Sequence, residues 1–263
     1  MKKRANLLKV WAKLIKIQIS HDFAYPLQFF LLFVASLFGG LLGPLFGFVV
    51  YGISSGFPGW TLNQYLLLFG SFTLVRGFSD LFFTALFFRV GKQINRGLFD
   101  KNLLRPIKTL PFLVMQGFDF DGISTFLLGF AIVGYALHGM TFTLVGLVQF
   151  AYLIVLGICF MLSITMILIG LSLVFVEVDA LRNFFFMFLN FARYPISVFG
   201  KSASFVLSYL IPIGLVSFYP AKALGHGLSG LNTLLLSLAI FVFMFVAKLV
   251  FNYGISKYQS AGG

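Results

Sequence analysis

Arg76 and Asp80 stand four residues apart inside a largely apolar stretch, Thr61 to Phe88. Residues at that spacing share one helix face, so the guanidinium and the carboxylate can pair. Ionisable groups at membrane depth are expensive and face a bundle interior or a wet cavity, which makes the pair a candidate ion or proton path. The alternative is a pair that only locks helix packing. Little else in the sequence could do chemistry. Gly200-Lys201-Ser202 looks like the end of a phosphate-binding loop, but the glycine needed five residues before Gly200 is Pro195, and no strand precedes it. His21, His138 and His226 are isolated from one another and from the few acids, so no metal-ligand set is visible. Cys159, the single cysteine, lies within an apolar run and reads as a packing residue. No nucleophile with a nearby base can be read, since serine and threonine in apolar helices usually bond their own backbone. The chain is not expected to be an enzyme, and no metal or cofactor is expected to bind it.

The elements that must position such residues follow from composition. Of 263 residues 60% are hydrophobic, 19% aromatic and 10% charged. Soluble domains carry about 25% charged residues, so one core cannot hide this much apolar surface. Lipid offers the backbone no hydrogen-bond partners, and apolar runs near 20 residues without period-two alternation indicate helices rather than a barrel. The expected fold is an all-α polytopic membrane protein, one transmembrane domain over residues 1–263. Six transmembrane helices are expected at 27–51, 61–88, 113–137, 141–175, 184–200 and 231–256. The fourth is long enough to be tilted or to extend into the cytoplasm, ending at Glu177 to Arg182. Gly39 to Pro44 in the first span allows a kink or a close helix approach. The 37 phenylalanines could line a route for an apolar substrate or simply face lipid.

Orientation follows from charge. The net charge is +12 with 19 Lys and Arg, which the collection of basic residues in cytoplasmic loops explains better than nucleic-acid binding; no nucleic-acid partner is expected. The amino-terminal residues 1–24 begin like a signal peptide, but Lys9, Lys13 and Lys16 interrupt the apolar core a signal needs, so the segment reads as retained. At 100° per residue Leu7, Leu8, Trp11, Leu14 and Ile15 share an arc opposite those lysines, giving an amphipathic interfacial helix on anionic membrane lipid, or a solvated helix on the bundle. The loop Gly52 to Trp60 is uncharged, whereas 89–110 carries Arg89, Lys92, Arg96, Lys101, Arg105 and Lys108 against Asp100. Both termini are therefore expected in the cytoplasm of a multi-pass plasma-membrane protein. Parity then makes 202–218 an outer re-entrant hairpin broken at Pro212, with a seventh full span as the alternative.

Within the basic loop, Gly97 to Ile107 is more than a charge run. Leu98, Phe99, Leu103 and Leu104 form a short apolar face, Asp100, Lys101 and Arg105 offer polar contacts, and Pro106 ends the helix. A solvated loop that only sets topology explains the charges but not the apolar face.

Five patterns occur in order: Gly97-x-Phe99-Asp100 with Leu103-Leu104-Arg105-Pro106-Ile107; Arg193-Tyr194-Pro195; Ile211-Pro212; Phe218-Tyr219-Pro220-Ala221 with Leu224-Gly225; and Tyr258-x-Ser260-x-Gly262. Together they resemble the permease subunits of ABC-2 type transporters, in the branch formerly classed as of unknown function. The resemblance implies a bacterial inner-membrane exporter subunit for an amphipathic or hydrophobic substrate, working as a dimer with the same or a related second permease. It also implies separate ABC ATPase subunits that carry the ATP and magnesium. By the same resemblance Gly97 to Ile107 is a coupling helix that docks on the ATPase, and short re-entrant helices between the last two spans place Tyr194, Pro195, Pro212, Tyr219 and Pro220 at an outer gate. Two rivals remain: a secondary transporter or channel using Arg76 and Asp80, and a scaffold that only anchors an ATPase.

Overall fold

A computed structural model describes residues 7–175 and 178–259, except for the side chains at 7, 8, 21 and 22. The side chains of Leu7 and Leu8 in the amphipathic arc and of His21, together with Glu177 and with Ser260 and Gly262 of the tail pattern, lie outside what it describes. The described secondary structure is helical throughout.

Helix α1 (Leu7–Asp22) leaves Lys9, Lys13 and Lys16 exposed and half-buries Trp11, Leu14 and Ile15, as the 3.6-residue period requires. The Trp11 ring lies 6.5 Å from that of Phe82, and Phe23, just beyond the helix, lies 5.8 Å from Phe120. Helix α2 (Pro26–Ile53) starts on a proline in its first turn, where the missing N–H is no loss. It runs on through Pro44 and buries only Pro44 and Gly47. A Cβ on Gly40, Gly43 or Gly47 would stand within 2.3 Å of Leu128, Phe69 or Tyr65, so this one glycine ridge is what seats α2 on the bundle.

Helix α3 (Leu62–Asn95) is the buried centre of the bundle. A capping box opens it: Gln64 N–H donates to the Thr61 hydroxyl (3.3 Å) and Thr61 N–H donates to the Gln64 side-chain oxygen (2.9 Å). A π turn, Asp80–Thr84, widens it midway. It runs past the expected end at residue 88, so Arg89 and Lys92 are helical and the connecting loop is shorter than expected. A four-residue turn α4 (Asp100–Leu103) and α5 (Thr109–Gln116) follow.

The expected span 113–137 is drawn differently. The chain turns at Gly117 and the membrane-length helix α6 (Phe120–His138) begins afterwards, because the Asp119 carboxylate accepts from Asp121 N–H (3.3 Å) and starts a new first turn. Helices α3 and α6 touch through backbone: a Cβ on Gly77 would lie 2.4 Å from Phe126 N, and one on Gly129 would lie 2.5 Å from Leu74 N.

Helix α7 (Leu144–Ser172) is capped by Thr143, whose hydroxyl accepts from Gly146 N–H (3.1 Å). It crosses α11 (Gly230–Lys257) where Gly170 meets Gly254. Between them the expected span 184–200 is not one long helix. Helix α8 (Asp179–Leu189) tightens into a 3-10 turn ending at Arg193. Tyr194 is extended (φ −119°, ψ 151°), because a residue before proline is pushed out of the helical region, and Pro195 follows. Helix α9 (Ile196–Leu210) then stops at Ile211-Pro212, and α10 (Phe218–Gly225) returns beside it. Five described helices are thus long and apolar enough to cross a membrane, against six expected.

The α9–α10 hairpin lies along α7. A Cβ at Gly146 would be 3.3 Å from Ala223 O and one at Gly157 would be 2.6 Å from Leu215 O. With a rise of 1.5 Å per residue, its inner turn sits roughly 16 Å further along α7 than the end of α10.

Candidate functional site

Three groups of residues singled out by the sequence occupy three levels of α3. At its middle, Arg76 Nε donates to both Asp80 oxygens (3.3 and 3.2 Å), so the expected pair forms. The Thr84 hydroxyl donates to Asp80 Oδ1 (2.8 Å) from across the π turn, and the Arg76 guanidinium lies 5.1 Å from the Phe186 ring centre. Inside the same turn the Leu81 carbonyl accepts from Asp119 N–H (2.8 Å). A Cβ on Gly117 would lie 2.1 Å from Phe82 O, so the α5–α6 corner rests directly on the widened backbone. Such π turns recur where a helix serves a function. Arg89 fastens the corner from the other side, donating to Gln116 O and lying 3.8 Å from the Asp119 carboxylate.

Arg76 and Asp80 line a cavity of about 270 Å3 between α2, α3 and α6. Arg193 joins them there, its guanidinium 5.2 Å from the Phe72 ring centre. In the sequence Arg193 reads only as part of the Arg193-Tyr194-Pro195 pattern at the outer face; the helix break before Pro195 holds it beside Phe72, in the first third of α3.

At the far end of α3, Gly97 takes φ +65°. Gly97 N–H donates to Ile94 O (3.0 Å) and Leu98 N–H to Gln93 O (2.8 Å), a Schellman stop that only a residue without Cβ adopts freely. The candidate coupling residues then divide. Phe99 is fully buried, edge-on to the Tyr258 ring at 5.2 Å, so it ties the segment to the end of α11 and is not part of an open apolar face. Leu103 and Ile107 are half-buried. Leu98 is 40% and Leu104 85% exposed. Asp100 opens the turn and its carbonyl accepts from Leu104 N–H (3.1 Å). Arg105 lies over the Phe112 ring (4.4 Å) and Pro106 is exposed where the helical turn has ended. Asn102, which the sequence reading passed over, is buried and donates to the Gln93 side chain.

The hairpin gathers the remaining residues. Tyr194 packs on Phe57 of the 54–61 loop (6.1 Å), and Pro195, Pro212 and Pro220 are buried. The Tyr219 hydroxyl donates to Ser208 (2.7 Å), joining α10 to α9, and the Ser217 hydroxyl donates to Ala192 O, joining the inner turn to the end of α8.

A family model described as ABC-2 family transporter protein matches residues 23–262. The chain belongs to the ABC-2 transporter family. A comparison with the curated proteins finds none that matches. As an ABC-2 permease it is a multi-pass membrane component of a transporter. Two features of this ABC-2 permease that the sequence did not disclose, Arg193 in the cavity and Phe99 in the core, both depend on contacts between distant segments. A signal for the second was present in the paired aromatics Phe99 and Tyr258 within the family patterns.

Proposed function

We propose that this chain is the permease subunit of an ATP-driven exporter for an amphipathic or hydrophobic substrate. The observation that carries this is the segment Gly97 to Ile107, seated by Phe99 and stopped by Gly97, yet presenting Leu104 at 85% exposure. A fixed backbone with an unburied leucine is the form of a docking peg, because ordering it beforehand lowers the entropy lost on binding. Its partner is a separate ABC ATPase, which carries the ATP and magnesium. Two permeases, identical or related, form the membrane core. The uncharged 54–61 loop is outside and the basic 96–108 connection inside, with both termini cytoplasmic in a bacterial plasma membrane.

ATP binding closes the ATPase pair and moves the two pegs together. Helices α3 and α5 carry that movement, being joined through the peg at one end and through the Gly117 corner at the π turn. The hairpin, re-entrant from the outer face, then opens past Tyr194, Pro195, Pro212, Tyr219 and Pro220. Nucleotide drives this only by binding one state better than the other. Co-purification with a co-expressed ABC ATPase tests the reading, using Leu104→Asp and Arg105→Glu. Loss of association with retained folding is expected; full association and transport in both variants refutes it.

The cavity around Arg76 and Asp80 favours a second reading, a secondary transporter or channel. Its signature is uptake or release in vesicles that follows an ion gradient without any ATPase.

A further inference from the structure

Arg76 and Arg193 bring two guanidinium groups to one cavity with a single carboxylate, Asp80. Guanidinium stays charged at any physiological pH. Asp80 is already engaged by Arg76 and by Thr84. Arg193 contacts the Phe72 ring, and among the described residues no carboxylate lies within ion-pair distance of it. The site therefore carries one positive charge more than its carboxylate balances, on an Arg193 that is exposed in the single chain beside Phe72 of the membrane-length α3. At membrane depth such a charge is expensive to hold unless something pairs with it.

Among the described residues a second copy of the chain offers no further carboxylate inside a membrane-length helix away from its ends. Asp80 is the only such acid among them; Asp22, Asp100, Asp119, Asp121 and Asp179 lie at helix termini or in connections. The cavity, about 270 Å3, is at the lower limit for a small-molecule pocket, so it suits a head group rather than a whole amphiphile. Leu42 both lines it and is 66% exposed on the outward side of α2, so the cavity communicates with the lipid-facing surface.

We infer that this cavity binds the anionic head group of an amphiphile whose apolar part lies against α2, with Arg193 as the pairing cation and Arg76 holding Asp80 out of the way. Calling that amphiphile the transported substrate rests on the permease reading above; the binding itself does not.

The test uses the full chain in phosphatidylcholine nanodiscs and two fluorescent probes of the same ring skeleton, 1-anilinonaphthalene-8-sulfonate and uncharged N-phenyl-1-naphthylamine, each corrected with empty discs. Arg193→Gln is expected to weaken saturable sulfonate binding about tenfold or more while changing the uncharged probe by less than about twofold, with Arg193→Lys retaining most of the affinity. An unchanged melting temperature shows that the variant is folded. Replacing half the lipid by phosphatidylglycerol separates the sources: competitive loss of wild-type sulfonate binding makes a membrane lipid the occupant, and no loss makes it a free amphiphile. Equal losses for both probes, no loss for either, or weakened self-association with sulfonate binding intact would each overturn the inference. None of these outcomes depends on an ATPase, so failure here is distinguishable from failure of the exporter reading.

Discussion

Phe99 and Leu104 are five residues apart in one connection and do opposite work. The Phe99 ring is enclosed against Tyr258, whereas Leu104 faces outward. Phe99→Ala is expected to lower stability by about 3 kcal/mol through the cavity it leaves, and Leu104→Ala to stay within about 0.5 kcal/mol, both read by thermal unfolding in detergent. In sequence the two look equally apolar, and what separates them is a contact with a residue near the other end of the chain, which no local pattern reveals. The Arg76–Asp80 pair, by contrast, was legible, because four-residue spacing on a helix is a local property. Arg76→Gln strands the Asp80 carboxylate beside only Thr84 and is expected to destabilise by about 1–3 kcal/mol, while the double change Arg76→Gln with Asp80→Asn should cost less than that single change. Denaturation of the three proteins side by side checks the order.

The helices were readable wherever hydropathy alone sets them, as in α2, α7 and α11, whose long apolar runs leave no alternative in lipid. Departures occur where a backbone detail overrides composition. Pro195 divides the expected fifth span, and the turn at Gly117 detaches α5 from α6. Neither is visible in a hydropathy average, since one residue decides each. Glycine placement shows both sides: Gly39 to Pro44 advertises close approach, and Gly40 and Gly43 make it while Gly39 meets nothing, whereas Gly77 and Gly129, unmarked in the sequence, lie against the backbone of the opposite helix. Gly77→Ala and Gly129→Ala are each expected to destabilise the bundle by about 1–3 kcal/mol, through overpacking that only a backbone shift can relieve. Gly39→Ala should leave the melting temperature unchanged, and a comparable loss there would show that α2 sits differently.

Across the whole molecule α3 links the candidate sites: the hairpin at its start, the charged cavity and π turn at its middle, and the proposed peg beyond its Schellman stop. On the proposed exporter reading, force applied at Leu104 would reach the cavity by two routes, along α3 itself and through α5 to the corner where Gly117 rests on Phe82 O. Gly117→Ala is therefore expected to reduce nucleotide-driven transport in vesicles while leaving ATPase co-purification intact; equal losses of both would contradict a transmitting role. Docking of the ATPase at Leu104 is tested most directly by proximity. With Cys159→Ala removing the native thiol, the cysteine introduced by Leu104→Cys is loaded with a maleimide photo-cross-linker, and Ser55→Cys in the uncharged loop serves as control. A covalent product between permease and ATPase from position 104 and none from position 55 is the expected result. No product from position 104, or equal product from both, would contradict it.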